Sequence, residues 1–170
     1  MNYKKDTIKG LFRPQHPEKY LGNKLPIYKS RWEKRVFYAM DINPFIMKWG
    51  YECIEIYYHH PIFNNFTIYY PDVFCHVKND RGKFERLLIE IKPAKMCVLP
   101  KEPKYPKNRT VKSLERYQRS VKRYQCGCRD YVVNVAKWEA AQKWCLKHGV
   151  TWRILNEDNV KGLFDQKNRM

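Results

Sequence analysis

The chain has 170 residues, which is most simply one domain, and its 44% hydrophobic and 15% aromatic content excludes a disordered tail. No apolar run approaches the roughly 18 residues that a membrane span needs, and no apolar segment follows Met1, so we expect a soluble protein made inside the cell without a signal peptide. A net charge of +17, from 34 basic and 17 acidic residues, indicates a polyanionic partner.

The charge is unevenly distributed along the chain. The net charge is +7 over residues 1–35, −2 over 36–91, +10 over 92–129 and +2 over 130–170. A slightly acidic segment is therefore flanked on each side by a basic one. This arrangement suits a DNA duplex drawn across a metal-carrying cleft. The alternative is a charged surface that serves only solubility.

Residues 1–27 combine several lysines with Gly10, Pro14, Pro17, Gly22 and Pro26. Such a composition predicts an irregular, basic N-terminal arm. The arm could lie on DNA or on a neighbouring protein, and the simpler alternative is a loosely ordered terminus.

Residues 30–41 are predicted to form a helix that ends before Asn43-Pro44. Ser30 and Glu33 have the spacing of a capping box, in which each side chain satisfies a free backbone N–H at the helix start. An apolar face follows at helical spacing, formed by Trp32, Val36, Phe37 and Met40. Glu33 borders that face, so it is either only the capping partner or also a carboxylate of a functional site.

Residues 45–58 are rich in Ile, Tyr and Trp and predict one or two strands. His59-His60-Pro61 and Asn64-Asn65 then indicate a turn. Two neighbouring histidines could bind a metal, but without other suitably spaced ligands they are more simply turn residues.

A pair of antiparallel strands is predicted next, the first over residues 66–77 and the second ending at Lys92, joined by the turn at 79–82. Alternation puts Leu87, Ile89 and Ile91 on a core face, and Glu90 and Lys92 on the other face. On the first strand, Asp72 lies on the face opposite Val73, Cys75 and Val77. When the strands pair, Asp72, Glu90 and Lys92 can converge at one end of the sheet.

Two converging carboxylates need an explanation. At about 4 Å and an effective dielectric of about 20, they repel by roughly 4 kcal/mol. Either one carboxylate takes a proton, or a cation lies between Asp72 and Glu90. Mg²⁺ prefers such oxygens and leaves positions for phosphate and water, while a lysine such as Lys92 can hold the attacking water. The three residues therefore predict phosphodiester hydrolysis with Mg²⁺ or Mn²⁺ as cofactor, and the basic segments on either side predict double-stranded DNA as partner.

Residues 93–109 contain four prolines among basic residues, which predicts a stiff loop directly after Lys92. The loop could grip phosphates over the duplex, and the alternative is a solvated linker. The predicted DNA-contacting residues continue into the following helix and are Lys95, Lys101, Lys104, Lys107, Arg109, Lys112, Arg116 and Arg119.

Two helices, at 110–125 and about 131–147, and a strand at 150–155 complete the prediction, with Gly149 ending the second helix. This order gives an α/β domain whose central mixed sheet is flanked by helices. A polar tail occupies residues 159–170. We expect the six cysteines to be free thiols; the alternative is a zinc site formed by Cys126, Cys128, Cys145 and His148.

Pro71-Asp72 followed by Glu90-Ile91-Lys92 resembles the signature of the PD-(D/E)XK nuclease superfamily. The flanking segments at 28–35 and 134–141 look like helices of the head completion nucleases of contractile-tailed phages, and of the related cut-making subunit of a cut-and-paste transposase. The resemblance covers residues 28–158 and implies a restriction-endonuclease-like domain. It further implies that Asp72 and Glu90 are the metal ligands.

The resemblance also implies roles for residues outside the strand pair. Glu33 would complete the acidic cluster, and Lys137 would be an auxiliary site residue. The implied partners are phage portal, neck or head proteins, in the virion and in the host cytoplasm during assembly, with no membrane. Two alternatives stay open: a non-catalytic DNA-binding neck protein, and a junction-resolving or transposition endonuclease.

Overall fold

A four-stranded mixed sheet forms the centre of the computed structural model, which describes residues 8–78, 81–157 and 159. Short 3-10 turns occur at Pro17–Lys19 and Ala94–Met96. The described helices and strands are, in chain order, β1 (Gly10–Leu11), β2 (Ile27–Tyr28), α1 (Arg31–Ile42), β3 (Ile46–Tyr51), β4 (Ile56–His60), β5 (Asn65–Tyr69), β6 (Val73–Lys78), β7 (Phe84–Ile91), α2 (Val111–His148) and β8 (Thr151–Leu155).

The central sheet has the strand order β3-β6-β7-β8. β6 pairs antiparallel with β3 and β7, whereas β7 and β8 are parallel. Parallel neighbours need a long crossover connection, and the chain between β7 and β8 supplies α2 for it. The predicted α/β architecture with a mixed sheet is confirmed. No helix within the described ranges is apolar enough to cross a bilayer.

Both faces of the sheet are covered, which explains why β6 and β7 are buried on two sides. On one face, α1 packs Phe37 and Met40 against Trp49 and Ile89. On the other face, Leu88 packs with the second half of α2, chiefly through Ala141 and Cys145. Glu90 lies on the same face as Leu88, next to α2.

The helix α1 begins and ends as the sequence predicts. Ser30 is the N-cap, and its Oγ accepts a hydrogen bond from the backbone N–H of Glu33 at 3.1 Å. Asn43 is the C-cap and precedes Pro44, which disfavours continuation of the helix.

The single strand predicted at 66–77 is wrong, because the chain forms two strands there. β5 ends at Tyr69 and pairs only with β4, as a separate two-stranded hairpin. Pro71 follows, and its ring removes an N–H that a continuous ladder needs. His59 and His60 also lie in β4 and not in the turn, which spans Pro61 to Asn64.

The two predicted helices between 110 and 147 are one continuous helix of 38 residues. Thr110 caps its start, and Gly149, with a φ of 62°, ends it as expected. Gly127 costs about 1 kcal/mol within a helix, which a helix packed along its second half can tolerate. Cys128 and Cys145 consequently lie about 26 Å apart along the helix axis, so they cannot share a zinc ion. All six cysteines, each within the described residues, are free thiols as predicted.

The described part of the N-terminal segment has little regular structure but packs on the domain. Phe12 is buried in the core beneath α1. Asp41 accepts a hydrogen bond from the Gln15 backbone N–H at 2.6 Å, and the Lys19 ammonium donates to the carbonyls of Asp41 and Asn43. Residues 8–28 are therefore held against α1 and do not project from the domain.

Three predicted segments lie partly outside the described residues, the first being residues 1–7 of the predicted N-terminal arm. Asn79 and Asp80 of the predicted β6–β7 turn also lie outside the described residues, while Gly82 has the positive φ of 75° that such turns require. Of the predicted polar tail, only Asn159 is described.

Candidate active site

Asp72 and Glu90 face each other across the end of the β6–β7 ladder. Val73 pairs with Ile89, so Asp72 and Glu90 occupy the next position outward. Directly opposed residues of an antiparallel pair have side chains on the same face. Asp72 Oδ2 also accepts a hydrogen bond from the Ile91 backbone N–H at 2.7 Å, which fixes its carboxylate beside β7. The structure thus brings together the two carboxylates that the sequence singled out.

Glu90 is buried, with 3% of its surface exposed, and both of its oxygens are engaged. Oε1 lies 3.0 Å from the Lys92 ammonium. Oε2 accepts a hydrogen bond from the Tyr69 hydroxyl. Burial alone would lower the pKa of Lys92, but the charge of Glu90, its hydrogen bond and the charge of Asp72 together raise it. Lys92 is therefore held as a cation beside the carboxylates.

The pKa of Asp72 is raised to about 8. Burial is the largest cause, and the charge of Glu90 is the next. The hydrogen bond from the Ile91 N–H and the charge of the Lys92 ammonium lower the pKa of Asp72, but less than burial and Glu90 raise it. Burial and the charge of Glu90 therefore favour the protonated form of Asp72. Two adjacent carboxylates can be accommodated either by a proton on one of them or by a cation between them, and the raised pKa corresponds to the first of these.

Tyr69 and Lys137 complete this group, and sequence reasoning missed the first of them. Tyr69 lies in β5, three residues before Asp72, and the strand break at Pro71 turns its hydroxyl onto Glu90. Its pKa is raised by burial and then by the charge of Glu90. We call Tyr69, Asp72, Glu90, Lys92 and Lys137 the carboxylate corner.

Lys137 is partly buried and is not a simple surface lysine. Its ammonium lies 5.5 Å from the centre of the Tyr69 ring and 5.8 Å from that of Tyr58. Burial lowers its pKa, and the nearby Lys92 lowers it further, while Glu90 opposes the shift. α2 thus places a second cation beside the carboxylates.

Glu33 lies at the edge of this group and acts as the capping partner. Its Oε2 accepts from the Lys29 backbone N–H at 2.7 Å, and its Oε1 accepts from the Ser30 hydroxyl at 3.0 Å. Its charge is close enough to affect the pKa of Asp72 and Lys92. No three His, Cys, Asp or Glu side chains of the described chain form a group that could hold a metal. A catalytic role of Glu33 therefore stays a prediction.

The donor set of the carboxylate corner fits a hard divalent cation. Asp72 and Glu90 provide carboxylate oxygens, the ligand type preferred by Mg²⁺ and Mn²⁺. Burial and then the charge of Glu90 raise the pKa of Asp72, and a cation between the two carboxylates would oppose both effects by favouring the ionised form.

The predicted DNA-contacting residues are all exposed, on the loop and on the first part of α2. No residue of α2 before Asn134 is buried against the sheet. The loop packs along this part of the helix, with the rings of Tyr105 and Tyr117 5.1 Å apart. Gly127 lets Pro100 approach, since a Cβ there would lie 3.0 Å from the proline ring. We call this set the basic surface: Lys95, Lys101, Lys104, Lys107, Arg109, Lys112, Arg116 and Arg119.

The fold and site together define a nuclease of the PD-(D/E)XK type. An aspartate precedes one strand, Glu-x-Lys ends its antiparallel neighbour, and helices cover both faces of the mixed sheet. Nucleases of this type use divalent metal ions.

Comparison with known proteins identifies the family. The model of the TnsA-like endonuclease N-terminal family matches residues 43–157, and the chain belongs to this family. It is an enzyme that cleaves DNA. The match includes Asp72, Glu90, Lys92 and Lys137 but begins after Glu33. The chain is also similar to the head completion nuclease of Enterobacteria phage T4, at 32% identity over 155 residues, which cover 91% of this chain and 94% of that relative.

Proposed function

We propose that this protein is a Mg²⁺-dependent DNA nuclease of a phage head, with Mn²⁺ as an alternative ion, that trims or binds the end of the packaged DNA. The single observation that supports the chemistry is the juxtaposition of Asp72, Glu90 and Lys92 at one end of the β6–β7 ladder.

The proposed roles follow from the contacts. Asp72 and Glu90 would hold the metal ion, which when bound supplies positive charge to a phosphoryl oxygen and acidifies water. Lys92 orients the attacking water or balances the additional negative charge of the transition state. Tyr69 fixes one oxygen of Glu90. Lys137 adds positive charge that attracts the scissile phosphate.

The basic surface is proposed to bind the DNA backbone. Its eight cations are exposed on one loop and the adjoining helix turns. Contacts of lysine and arginine with phosphates position a duplex without reading its sequence. The first of them, Lys95, lies only three residues after Lys92, so a bound backbone can run directly into the carboxylate corner.

The biological setting is proposed from the similarity to the head completion nuclease of phage T4, which extends over nearly the full length of both chains. By this reasoning the protein prepares a filled head for its tail. It would contact portal, neck or head proteins, in the host cytoplasm during assembly and afterwards in the virion.

Incubation of the purified protein with linear and supercoiled DNA, in Mg²⁺, Mn²⁺ or EDTA, tests the enzymatic part of this proposal. We expect cleavage by the natural protein only with a divalent ion, and at least about 100-fold slower cleavage by Asp72→Asn and Lys92→Ala. Equal cleavage by all three proteins would remove the assigned site.

The family match to TnsA-like endonucleases supports a second candidate, a junction-resolving or transposition endonuclease with the same chemistry. Competition between branched and linear DNA separates the two. A strong preference for branched DNA would favour this second function.

A further inference from the structure

A groove of about 580 Å³ lies beside the carboxylate corner, between the tip of the β4–β5 hairpin and the middle of α2. Binding sites for ligands of nucleotide size typically occupy roughly 300–1,000 Å³. Lys137 belongs to both the groove and the corner, so the groove adjoins the carboxylate corner. Its lining combines aromatic, apolar and polar side chains, including His60, Phe63, Met96, Arg129, Asn134 and Lys137.

Phe63, at the tip of the hairpin, is exposed yet held in a defined position. Its side chain is 73% exposed. The His60 imidazole stacks on the Phe63 ring, with 4.6 Å between the ring centres and 29° between the planes. His60 Nδ1 also accepts hydrogen bonds from the backbone N–H groups of Ile62 and Phe63, each at 3.3 Å. The turn closes with a hydrogen bond from the Asn64 N–H to the His60 carbonyl at 2.9 Å.

A fixed, solvent-facing phenyl ring contributes little to the core, but it is well suited to binding. Because the ring is already ordered, a partner that stacks on it does not pay to immobilise it. Nucleobases stack on aromatic rings largely independently of sequence. Arg129 and Lys137 give the groove two cations against the single carboxylate of Asp130, so the lining keeps a net positive charge for the adjoining phosphates.

The position of the groove next to the carboxylate corner favours DNA with an unpaired base over intact duplex. Met96 and Lys137 line the groove, and the Lys137 ammonium lies 5.5 Å from the centre of the Tyr69 ring in the corner. A nucleotide next to a phosphate held at the corner would therefore be within reach of the groove. A base within intact duplex must unstack and unpair before it can reach Phe63. That cost is smallest for a base that is already unpaired.

On the basis of the proposed nuclease function, we propose that this groove binds an unpaired nucleotide next to the cleaved phosphate, with Phe63 stacking on its base. The protein then prefers DNA ends with single-stranded overhangs to blunt duplex. This deepens the proposed function by naming the DNA structure that the site selects.

Phe66 provides a matched control for Phe63. It lies on the same hairpin and is 75% exposed, but its ring contacts His59 and it lines a different groove. We compare the natural protein, Phe63→Ala, Phe63→Trp and Phe66→Ala. Each is titrated in EDTA, where cleavage is suppressed, with duplexes of equal length that end blunt or in a 5′ or 3′ overhang containing 2-aminopurine.

We expect Phe63→Ala to weaken binding of an overhang duplex about 5- to 150-fold, the range measured for loss of one base–aromatic stack. Binding of the blunt duplex should stay within about twofold, Phe66→Ala should bind like the natural protein, and Phe63→Trp should retain tight binding. The 2-aminopurine fluorescence should change on binding of the natural protein and not on binding of Phe63→Ala.

Three outcomes would overturn the inference: equal affinity of the natural protein for blunt and overhang DNA, equal effects of Phe63→Ala and Phe66→Ala, or equal loss of both DNA forms in Phe63→Ala. The last outcome would instead indicate a general duplex contact. Circular dichroism verifies the fold of each variant. Cleavage is scored separately: if the natural protein fails to cut with Mg²⁺ and Mn²⁺ but keeps its overhang preference, only the proposed dependence on these ions falls.

Discussion

The basic surface lies along the chain between Lys92 and Lys137 of the carboxylate corner, yet the two regions are built in opposite ways. In the corner, Glu90 is buried and both its oxygens have partners, so each charge strongly alters its neighbours. On the basic surface, the cations are exposed and lie on a loop and a part of α2 without buried residues. Replacing a single charge in the corner should therefore have a large effect. On the basic surface, the effect should depend on how many cations are replaced, and salt should screen it.

The largest expected effect concerns the basic surface and its sensitivity to salt. If about 6–10 phosphates are contacted, the affinity for duplex DNA should fall roughly 10³- to 10⁵-fold between 50 and 200 mM salt, because bound counterions are released. Titration of labelled duplex in EDTA measures this. Replacing Lys101, Lys104 and Lys107 by Gln should make the negative slope of log affinity against log salt less steep, by about 0.9 per residue.

Lys147→Gln, which changes an exposed cation at the other end of α2, is the control for this series and should leave the slope unchanged. An affinity for duplex DNA that does not change with salt would contradict the conclusion that the exposed cations of the basic surface bind the DNA backbone.

The next effect isolates the corner. Lys92→Ala should reduce the rate of DNA cleavage about 10²- to 10³-fold, because a cation that stabilises the transition state is removed, while DNA affinity changes little. Lys95→Ala, three residues further on, removes an exposed cation and should weaken binding slightly without affecting the maximal rate. Single-turnover rates and titrations of both variants measure the difference. If both variants lost rate equally, Lys92 would have no special role.

Tyr69→Phe tests whether the hydroxyl positions Glu90. Loss of a group that orients a metal ligand typically weakens metal affinity or activity about 10- to 100-fold. We therefore expect the Mg²⁺ concentration needed for half-maximal cleavage to rise, and Mn²⁺ to restore most of the rate. Tyr70→Phe is the matched control, since its hydroxyl donates to the exposed Glu55 at 2.7 Å, away from the corner. An unchanged Mg²⁺ requirement in Tyr69→Phe would show that the hydroxyl is only a packing group.

The smallest effect is on stability, and its sign follows from the pKa of Asp72. That pKa is about 8 in the folded metal-free protein, against about 3.9 for an unfolded chain. Between these values the folded state binds more protons, so the contribution of Asp72 to the free energy of unfolding falls as pH rises from about 4 to 8. Asp72→Asn removes this contribution and should raise stability at pH 8 in EDTA by about 1–2 kcal/mol.

Thermal melts at pH 5 and pH 8 measure this effect, which corresponds to roughly 2–8 °C at pH 8. Mg²⁺ should stabilise the natural protein and not Asp72→Asn, because only the ionised carboxylate holds the ion. Glu102→Gln, which changes an exposed acid in the loop, should show none of this behaviour. If Asp72→Asn melted at a lower temperature than the natural protein at pH 8 in EDTA, the conclusion that ionised Asp72 destabilises the metal-free protein would be wrong.

The parts of the site that could be predicted are those set by local geometry. Alternation along a strand puts Glu90 and Lys92 on one face regardless of the rest of the fold. The turn-forming segment between β6 and β7 makes these two strands antiparallel neighbours. The capping box of Ser30 and Glu33 lies within a single helical turn. The charge that forms the basic surface is visible directly in the composition of residues 92–129.

The sequence by itself therefore determined the α/β class, the facing carboxylates with their lysine, and the partner of opposite charge. Only the tertiary structure decided that the strand break at Pro71 lets Tyr69, at the end of β5, reach Glu90, 21 residues away. It also decided that α2 continues through Gly127 and presents Lys137, and that Phe63 meets a groove of α2. The physical reason is the range of the interactions. Alternation and capping act between residues a few positions apart, whereas these contacts depend on how a hairpin and a long helix pack against the same face of the sheet.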